Sequence, residues 1–139
     1  MAVCTSTAFR NLLQGMSVTG VTRHYDYPPR SLNASDLPAA FLAPPVTAGL
    51  SGRLSSCVND SKARSARFIV CLQPIMLDTQ EINYDLLDPM IDNLESALDN
   101  TLDNPAYFYD YEMSGGVFDV GGTSYWSVIT TVNIRSAYE

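Results

Sequence analysis

Histidine, cysteine, glycine pairs and clustered carboxylates are the residues of this sequence whose types could carry chemistry. Histidine occurs once among the 139 residues, as His24. It lies in a segment where Val21, Tyr25 and Tyr27 alternate with polar residues, a pattern typical of a strand. A single histidine in such a segment is far more often a surface or packing residue than a general base. The sequence therefore does not favour a catalytic role for His24.

The cysteines predict neither a metal site nor a disulfide framework. They are Cys4, Cys57 and Cys71, an odd number at wide spacing with no C-x-x-C pair. Zinc sites need four closely spaced ligands, and one histidine cannot complete such a set. We expect reduced thiols, with Cys71 acting as a small hydrophobic residue inside an apolar run.

Glycines and carboxylates complete the search for chemistry. The pairs at residues 115–116 and 121–122 do not have the spacing of phosphate-binding loops, and their simpler role is in turns and bulges. The acidic residues between 99 and 110 lack the glycine that a calcium-binding loop requires. The sequence therefore predicts no catalytic residues, no metal, no cofactor and no enzyme activity.

Composition bounds the class of protein. Hydrophobic residues make up 46% and charged residues 17% of the chain, which is globular rather than disordered composition. Apolar runs are too short to span a bilayer, and residues 1–16 lack the pattern of a secretory signal. We expect one soluble domain over residues 1–139, assembled in the cytoplasm and without a membrane partner.

Charge is divided unevenly along the chain. Residues 1–67 contain seven basic and three acidic side chains, whereas residues 68–139 contain twelve acidic side chains and one basic, Arg135. The net charge of −7 argues against nucleic acid as the main partner. The division predicts a molecule with one basic part and one acidic part.

Hydrophobic periodicity predicts the elements. Residues 3–16 are typical of an amphipathic helix. Strands are predicted over 18–27, 39–46, 67–77, 107–120 (interrupted at the glycine pair) and 126–134, with a hairpin turn at residues 121–122. We expect Tyr107, Phe108 and Trp126 to pack in the core between sheet and helices.

The clearest predicted element is a second helix. Asp88 followed by Pro89 is typical of a helix start, and apolar residues from 86 to 102 fill one face of the helix. Five carboxylates form a separate row beside that face, which we call the acidic stripe: Asp88, Asp92, Glu95, Asp99 and Asp103. The order of elements predicts an α+β fold with a mostly antiparallel sheet and two helices packed on one face.

A long polar segment over residues 47–65 separates two predicted strands. It contains Arg53, Lys62 and Arg64, and its length is unusual for a plain connection in a compact domain. We expect a loop there, acting either as an arm that reaches a neighbouring subunit or as an unstructured surface segment.

The order of several short motifs resembles tail terminator subunits of long-tailed bacteriophages. After a helix come GVTRHYDYPP at residues 20–29 and LPAAF at 37–41. The helix over 86–102 is then followed by YFY at 107–109, GV at 116–117 and GGTSY at 121–125. The resemblance covers most of the chain and is weakest over residues 47–65.

The resemblance implies a structural protein of the virion tail and neck. Such subunits form a ring, usually of six copies, that caps the tail tube and joins it to the head. The implied partners are further copies of the chain, the tail tube protein and a head–neck connector protein, with DNA only as a passing, non-specific neighbour. No catalytic residue is implied.

Two alternatives remain open at this stage. One is another head–tail joining or tail completion protein. The other, from a different class, is a cytosolic ligand-binding α+β domain whose pocket would lie between sheet and helices.

The acidic stripe predicts a subunit interface. Carboxylates four residues apart on a helix repel one another, and no Lys or Arg lies between residues 68 and 134 to offset them. Within a ring, the stripe would either meet Arg53, Lys62 or Arg64 of the adjacent subunit or face the channel and repel DNA.

Overall fold

The computed structural model describes residues 6–51, 61–75, 84–103 and 107–136. Within these ranges the chain forms two helices, five strands and one short 3-10 helix, Ala34–Asp36. In chain order the helices and strands are α1 (Ser6–Gln14), β1 (Arg23–Tyr25), β2 (Ala39–Ser51), β3 (Ser61–Pro74), α2 (Tyr84–Leu102), β4 (Tyr107–Val120) and β5 (Thr123–Ser136).

The five strands form one sheet in the order β1-β2-β3-β5-β4. Only the short β1–β2 pair is parallel, and the other three pairs are antiparallel. Both helices pack on the same face of this sheet. The predicted α+β fold, with a mostly antiparallel sheet and two helices on one face, is therefore confirmed.

The main core lies between the helices and the sheet. From α1 it takes Phe9 and Leu13, and from α2 it takes Leu94 and Leu98. On the strands it takes the side chains that alternate toward the helices, since successive residues of a strand point to opposite faces. The strand residues of this cluster are Ala40, Leu42, Ala66, Phe68, Val70, Leu72, Val128, Val132 and Ile134.

The opposite face of the sheet has a smaller core at one end. Phe41, Ile69 and Cys71 are fully buried there. Leu32 and Leu37, from the segment between β1 and β2, pack against them. This segment therefore acts as a partial second cover for the sheet.

α2 begins four residues before its predicted start. The sequence placed the first turn at Asp88–Pro89, but the helix begins at Tyr84 and Pro89 lies inside it. Proline in that position removes one intrahelical hydrogen bond. Burial of one apolar side of the helix offsets this cost. The buried residues are Leu87, Met90, Leu94, Ala97, Leu98 and Leu102, all of them on the predicted face.

The strand predicted over residues 18–27 is much shorter than expected. A turn at residues 19–20 precedes it, and Gly20 has a φ of 92°, a conformation that glycine adopts without strain. The backbone N–H of Thr22 donates to the carbonyl of Pro38, 2.8 Å away. Only Arg23–Tyr25 pairs with β2, so the alternation of residues across 18–27 overstated the strand.

The predicted polar loop over residues 47–65 is wrong at both of its ends. Residues 47–51 belong to β2 and residues 61–65 to β3, and they pair with each other from Thr47 opposite Ser65 to Ser51 opposite Ser61. Antiparallel strands need no continuous apolar pattern, because such sheets commonly bury only one face. Residues 52–60 lie outside the described part of the chain.

β4 is a single strand that continues through Gly115–Gly116, where the sequence predicted an interruption. It joins β5 by the predicted two-residue turn, in which Gly121 and Gly122 have φ values of 61° and 84°. Positive φ at both positions is the geometry of a type I′ hairpin turn. The predicted hairpin is confirmed.

The expected packing of Trp126 needs correction. The side chains of Tyr107 and Phe108 lie outside the described part of the chain, so their packing in the core stays a prediction. Trp126 is half-buried and is not a member of the buried cluster between helices and sheet. The helix-side aromatic residues of β4 that contact this cluster are Tyr109 and Tyr111.

Candidate interaction surface

All five carboxylates of the acidic stripe are exposed, four of them on α2 and Asp103 directly after its last residue. Their spacing of three or four residues places them on one side of the helix, next to the side that the core buries. The same period of the helix therefore produces the buried row and the charged row. The sequence predicted this arrangement correctly, but it did not predict which strand the stripe adjoins.

Two tyrosines of β4 fix the position of the stripe. The hydroxyl groups of Tyr109 and Tyr111 both donate to Oδ1 of Asp99, at 3.3 Å and 2.9 Å. The two rings are stacked with their centroids 6.3 Å apart. The side of α2 that bears the stripe therefore lies over β4.

The raised pKa values of Tyr109 and Tyr111 agree with a position of the acidic stripe over β4. Partial desolvation raises the pKa of Tyr111, and the hydrogen bond to Asp99 and the charges of Asp99 and Glu95 raise it further. Desolvation and then the charge of Asp99 raise the pKa of Tyr109, with a further contribution from Asp103. Three members of the stripe are thus close enough to β4 to act on its side chains.

β4 is an edge strand within the described residues. It pairs with β5 along all of its 14 residues, and no described strand pairs with its other side. Its backbone groups on that side are therefore available for a further strand. Asp110, Glu112 and Asp119 are exposed along it, so the strand adds to the negative charge of the stripe.

The opposite edge of the sheet is stepped. β1 pairs only with residues 39–41 of β2, so the outer side of β2 from residue 42 to residue 51 has no strand beside it in the described part of the chain. We call this uncovered length the β2 notch. Pro44 and Pro45 lie within it, in keeping with the confinement of proline to strand edges.

A cavity of about 410 Å³ opens at the start of the β2 notch. Leu42 and Ala43 line it from β2, and Tyr27 and Pro28 line it from the segment that turns away after β1. Its remaining lining residues are Arg10, Gln14 and Asp26. The side-chain amide of Gln14 donates to the backbone carbonyl of Asp26, 2.8 Å away, and so ties α1 to the far wall of the cavity.

Arg10 is a cation beside this edge that was not among the site residues predicted from the sequence. It is exposed on α1, on the same face of the sheet as the acidic stripe and beside the opposite edge. A signal existed in the helical wheel, since residue 10 follows the buried Phe9 by 100° and so faces away from the core. Which edge of the sheet lies beside α1 depends on the strand order, so the position of Arg10 at that edge was not predictable from the sequence.

The predicted cationic residues lie elsewhere. Arg64 and Lys62 belong to β3, opposite Ala48 and Leu50 of β2. β3 is an inner strand, and Arg64 is half-buried. Arg53 and the side chain of Lys62 lie outside the described part. The structure therefore brings neither Lys62 nor Arg64 to the open side of an edge strand, and their contact with a neighbouring subunit stays a prediction.

The uneven charge of the sequence becomes a polarity of the sheet. The basic half of the chain supplies α1 and β1 to β3, and the acidic half supplies α2, β4 and β5. Because the strand order is β1-β2-β3-β5-β4, these halves lie side by side. One edge of the sheet therefore belongs to the basic half and the other to the acidic half.

His24 and Cys71 have structural surroundings. Nε2 of His24 accepts a hydrogen bond from the backbone N–H of Val18 at 3.3 Å, and partial burial lowers the pKa of its imidazole. Cys71 is fully buried, and burial raises the pKa of its thiol. Cys4 and Cys57 lie outside the described residues.

The described residues contain no group of three or more His, Cys, Asp or Glu side chains arranged to hold a metal ion. In the same residues, no helix combines the length and the apolar character that crossing a bilayer requires.

Comparison with known proteins adds no relative. No family model matches the chain, and no curated protein matches it. The resemblance to tail terminator subunits therefore depends on the order of the motifs in this sequence, and its functional content is a proposal.

Proposed function

We propose that this chain is a structural subunit of a bacteriophage virion, a tail terminator that forms a ring, caps the tail tube and joins it to the head–neck. The order of the motifs from residue 20 to residue 125 supports the proposal. So does the α+β fold, in which those motifs occupy β1, the segment before β2, α2 and the β4–β5 hairpin.

The polarity of the sheet is the observation that carries the proposal. An acidic edge and a basic edge at opposite ends of one sheet attract each other in two copies of the molecule, but each repels its own kind. Such surfaces favour head-to-tail contacts, which close into rings when the rotation between copies allows it. A ring of six copies is the number that the family resemblance implies.

The proposed partners follow from the place of such a ring. One rim contacts the tail tube protein and the other contacts a head–neck connector protein. DNA passes through the channel without specific contacts, and the net charge of −7 opposes adhesion of its phosphates to the ring.

Locating the chain in a virion tests this proposal. Purified virions should show density for the chain as a single ring between tail tube and neck in an electron cryomicroscopy reconstruction. Since a cap stops the growth of the tube, assembly without this chain should give tubes of uncontrolled length. Density in the head shell or at the distal tail tip would contradict the proposal, and a place inside the neck above the tube end would favour another head–tail joining or tail completion protein.

The cavity beside α1 favours a second candidate, a ligand-binding α+β domain. Its volume of about 410 Å³ is in the range of small-molecule sites. However, Tyr27 on its wall is 72% exposed, whereas such sites usually enclose most of the ligand. The cavity also lies at a sheet edge rather than deep between sheet and helices. Binding of a small molecule by the monomer, with no place in the virion, would favour this candidate.

A further inference from the structure

We infer that copies of this chain join by sheet extension, with β4 of one copy entering the β2 notch of the next and the acidic stripe meeting Arg10 there. This inference depends on the proposed function for the idea of a ring, and it adds the surfaces that build the ring. The open sides of β4 and β2, the charges beside them and the cavity at the start of the β2 notch support this inference.

Strand direction fits this pairing. β2 is antiparallel to β3, β3 to β5 and β5 to β4, so β4 runs opposite to β2. When a second copy is placed beside the first in the same orientation, its β4 is antiparallel to β2, and the helices of both copies lie on the same face. No copy has to be inverted, so each copy can repeat the contact and the sheet can continue around a ring.

The short length of β1 leaves room for a further strand beside β2. β1 occupies the position next to β2 over residues 39–41 and is absent from that position beyond them. A strand in line with β1 would therefore fill the β2 notch. The cavity opens at the start of this length, and its apolar walls, Leu42 and Ala43, suit an apolar side chain of the entering strand.

Prolines restrict which backbone groups take part. Pro44 and Pro45 have no N–H and cannot donate to a neighbouring strand. Alternate residues of β2 direct their N–H groups to β3, so about every second residue of 42–43 and 46–51 has a donor on the open side of the notch. β4 contains no proline that would limit its own edge. The pairing is thus expected to be strongest toward the end of β2.

Electrostatic repulsion disfavours a symmetric dimer in which two β4 edges meet, and so favours the head-to-tail contact. Two β4 edges placed together would set Asp110, Glu112 and Asp119 of one copy against those of the other, together with both acidic stripes, and like charges in close strands destabilise the contact. In the head-to-tail contact, the stripe overhangs β4 on the helix-bearing face and meets Arg10 on the same face. Opposite charges therefore face each other at that contact.

Charge variants with a matched control test the contact. In sedimentation analysis at low salt, about 20 mM, we expect the full chain to self-associate. Arg10→Glu should weaken this association by on the order of tenfold or more. Arg30→Glu makes the same change of charge beside the β4–β5 turn, at a residue that does not line the cavity, and should leave association unchanged. Combining Arg10→Glu with Glu95→Arg in one chain should restore it, because the opposite charges are exchanged.

Hydrogen exchange tests the strand pairing directly. In the associated parent, amides of residues 107–120 and of residues 46–51 should exchange more slowly than in monomeric Arg10→Glu. Normal association of Arg10→Glu, protection of β4 without protection of the notch, or a parent that stays monomeric at low salt would each overturn the inference. Virion location is measured separately, so the terminator proposal can survive a failure of this contact and can fail while the contact holds.

Discussion

At the scale of single residues, His24 shows how an expected site of chemistry serves packing instead. Its Nε2 accepts the backbone N–H of Val18, and this bond requires the neutral imidazole. The bond joins the turn after α1 to β1. The sole histidine thus links the segment that follows α1 to β1.

Partial burial of His24 makes stability depend on pH. Because the folded state lowers the pKa of His24, the unfolded chain binds the proton more readily, and stability falls as the pH drops below about 6.5, the pKa of an unperturbed histidine. We expect the melting temperature of the parent to fall more between pH 7.5 and pH 5.5, roughly one unit either side of that value, than that of His24→Gln. The comparison cancels the contribution of the carboxylates, and parallel curves would show that folding does not lower the pKa of His24.

The two turn glycines provide a matched pair. An added Cβ at Gly121 would collide with the backbone carbonyl of Arg30, whereas one at Gly122 would meet nothing within 4 Å. Both residues have positive φ, which costs an alanine about 1 kcal/mol. Gly121→Ala should therefore lower the free energy of unfolding clearly more than Gly122→Ala in urea denaturation. Equal losses would mean that residues 30–31 do not pack against the turn.

At the scale of elements, α2 is held over β4 by a polar contact as well as by its apolar side. Asp99 accepts hydrogen bonds from Tyr109 and Tyr111, so one carboxylate of the stripe already has partners within its own chain. A variant such as Asp99→Lys would disturb this contact and the assembly together. Asp92 and Glu95 are the better positions at which to test the stripe as an interface.

Titration of the tyrosines tests the contact between α2 and β4. Partial desolvation raises the pKa of Tyr111 and of Tyr109, and the charge of Asp99 and its hydrogen bonds raise both pKa values further. Asp99→Asn removes the charge, and both hydroxyl groups should then ionise at lower pH than in the parent. Carbon-13 labelling of the tyrosine rings resolves them by nuclear magnetic resonance, and Asp88→Asn, on the same helix but at its other end, should leave both values in place.

Some elements were predictable from the sequence because local physics decides them. The buried side of α2 follows from the period of its leucines, and the Gly121–Gly122 turn follows from the need for positive φ. The start of α2 was wrong, since burial of Leu87 outweighs the preference of Pro89 for a first turn. The strands at residues 47–51 and 61–65 were missed, because cross-strand partners rather than local pattern create them.

The candidate surface was predictable only in part for the same reason. The acidic stripe is periodic in one helix and therefore visible in the sequence. The open side of β4, the β2 notch and the place of Arg10 depend on the strand order, which no local pattern states. The cationic residues chosen from the sequence, Arg53, Lys62 and Arg64, were those of the polar segment over residues 47–65, whereas a sheet edge is defined by neighbours in space.

At the scale of the whole molecule, the division of charge leaves the carboxylates away from the seam between the two halves of the chain. The basic and acidic halves meet along β3 and β5, which are paired from Ala63 opposite Arg135 to Pro74 opposite Tyr125. β5 contains no acidic residue and its one charged residue is Arg135, whereas the described carboxylates of the acidic half lie on or directly after α2 and on β4. The exposed stripe and the open edges are the part left for a second copy.

Salt should weaken assembly of the ring. Pairs of exposed charges are screened over about 8 Å at physiological ionic strength, so the association of subunits should decrease steadily from low to high salt. Asp92→Lys with Glu95→Lys should block association and leave the melting temperature of the monomer nearly unchanged, since both residues are exposed. Asp92→Asn with Glu95→Gln changes the same positions without reversing the charge and should give an intermediate effect. Assembly that ignores both pairs would exclude the stripe from the interface.

The β3–β5 pairing also has a consequence for how the chain folds. β2 with β3 and β4 with β5 are neighbours in sequence and can pair early, but the central pairing joins residues that α2 and β4 separate along the chain. Its closure is the slow, non-local step expected of such a topology. Because the two hairpins belong to oppositely charged halves, electrostatic attraction should speed their encounter, and refolding from denaturant should slow when salt is added. The charge pattern of this sequence then guides the chain to its own fold before any other copy is met.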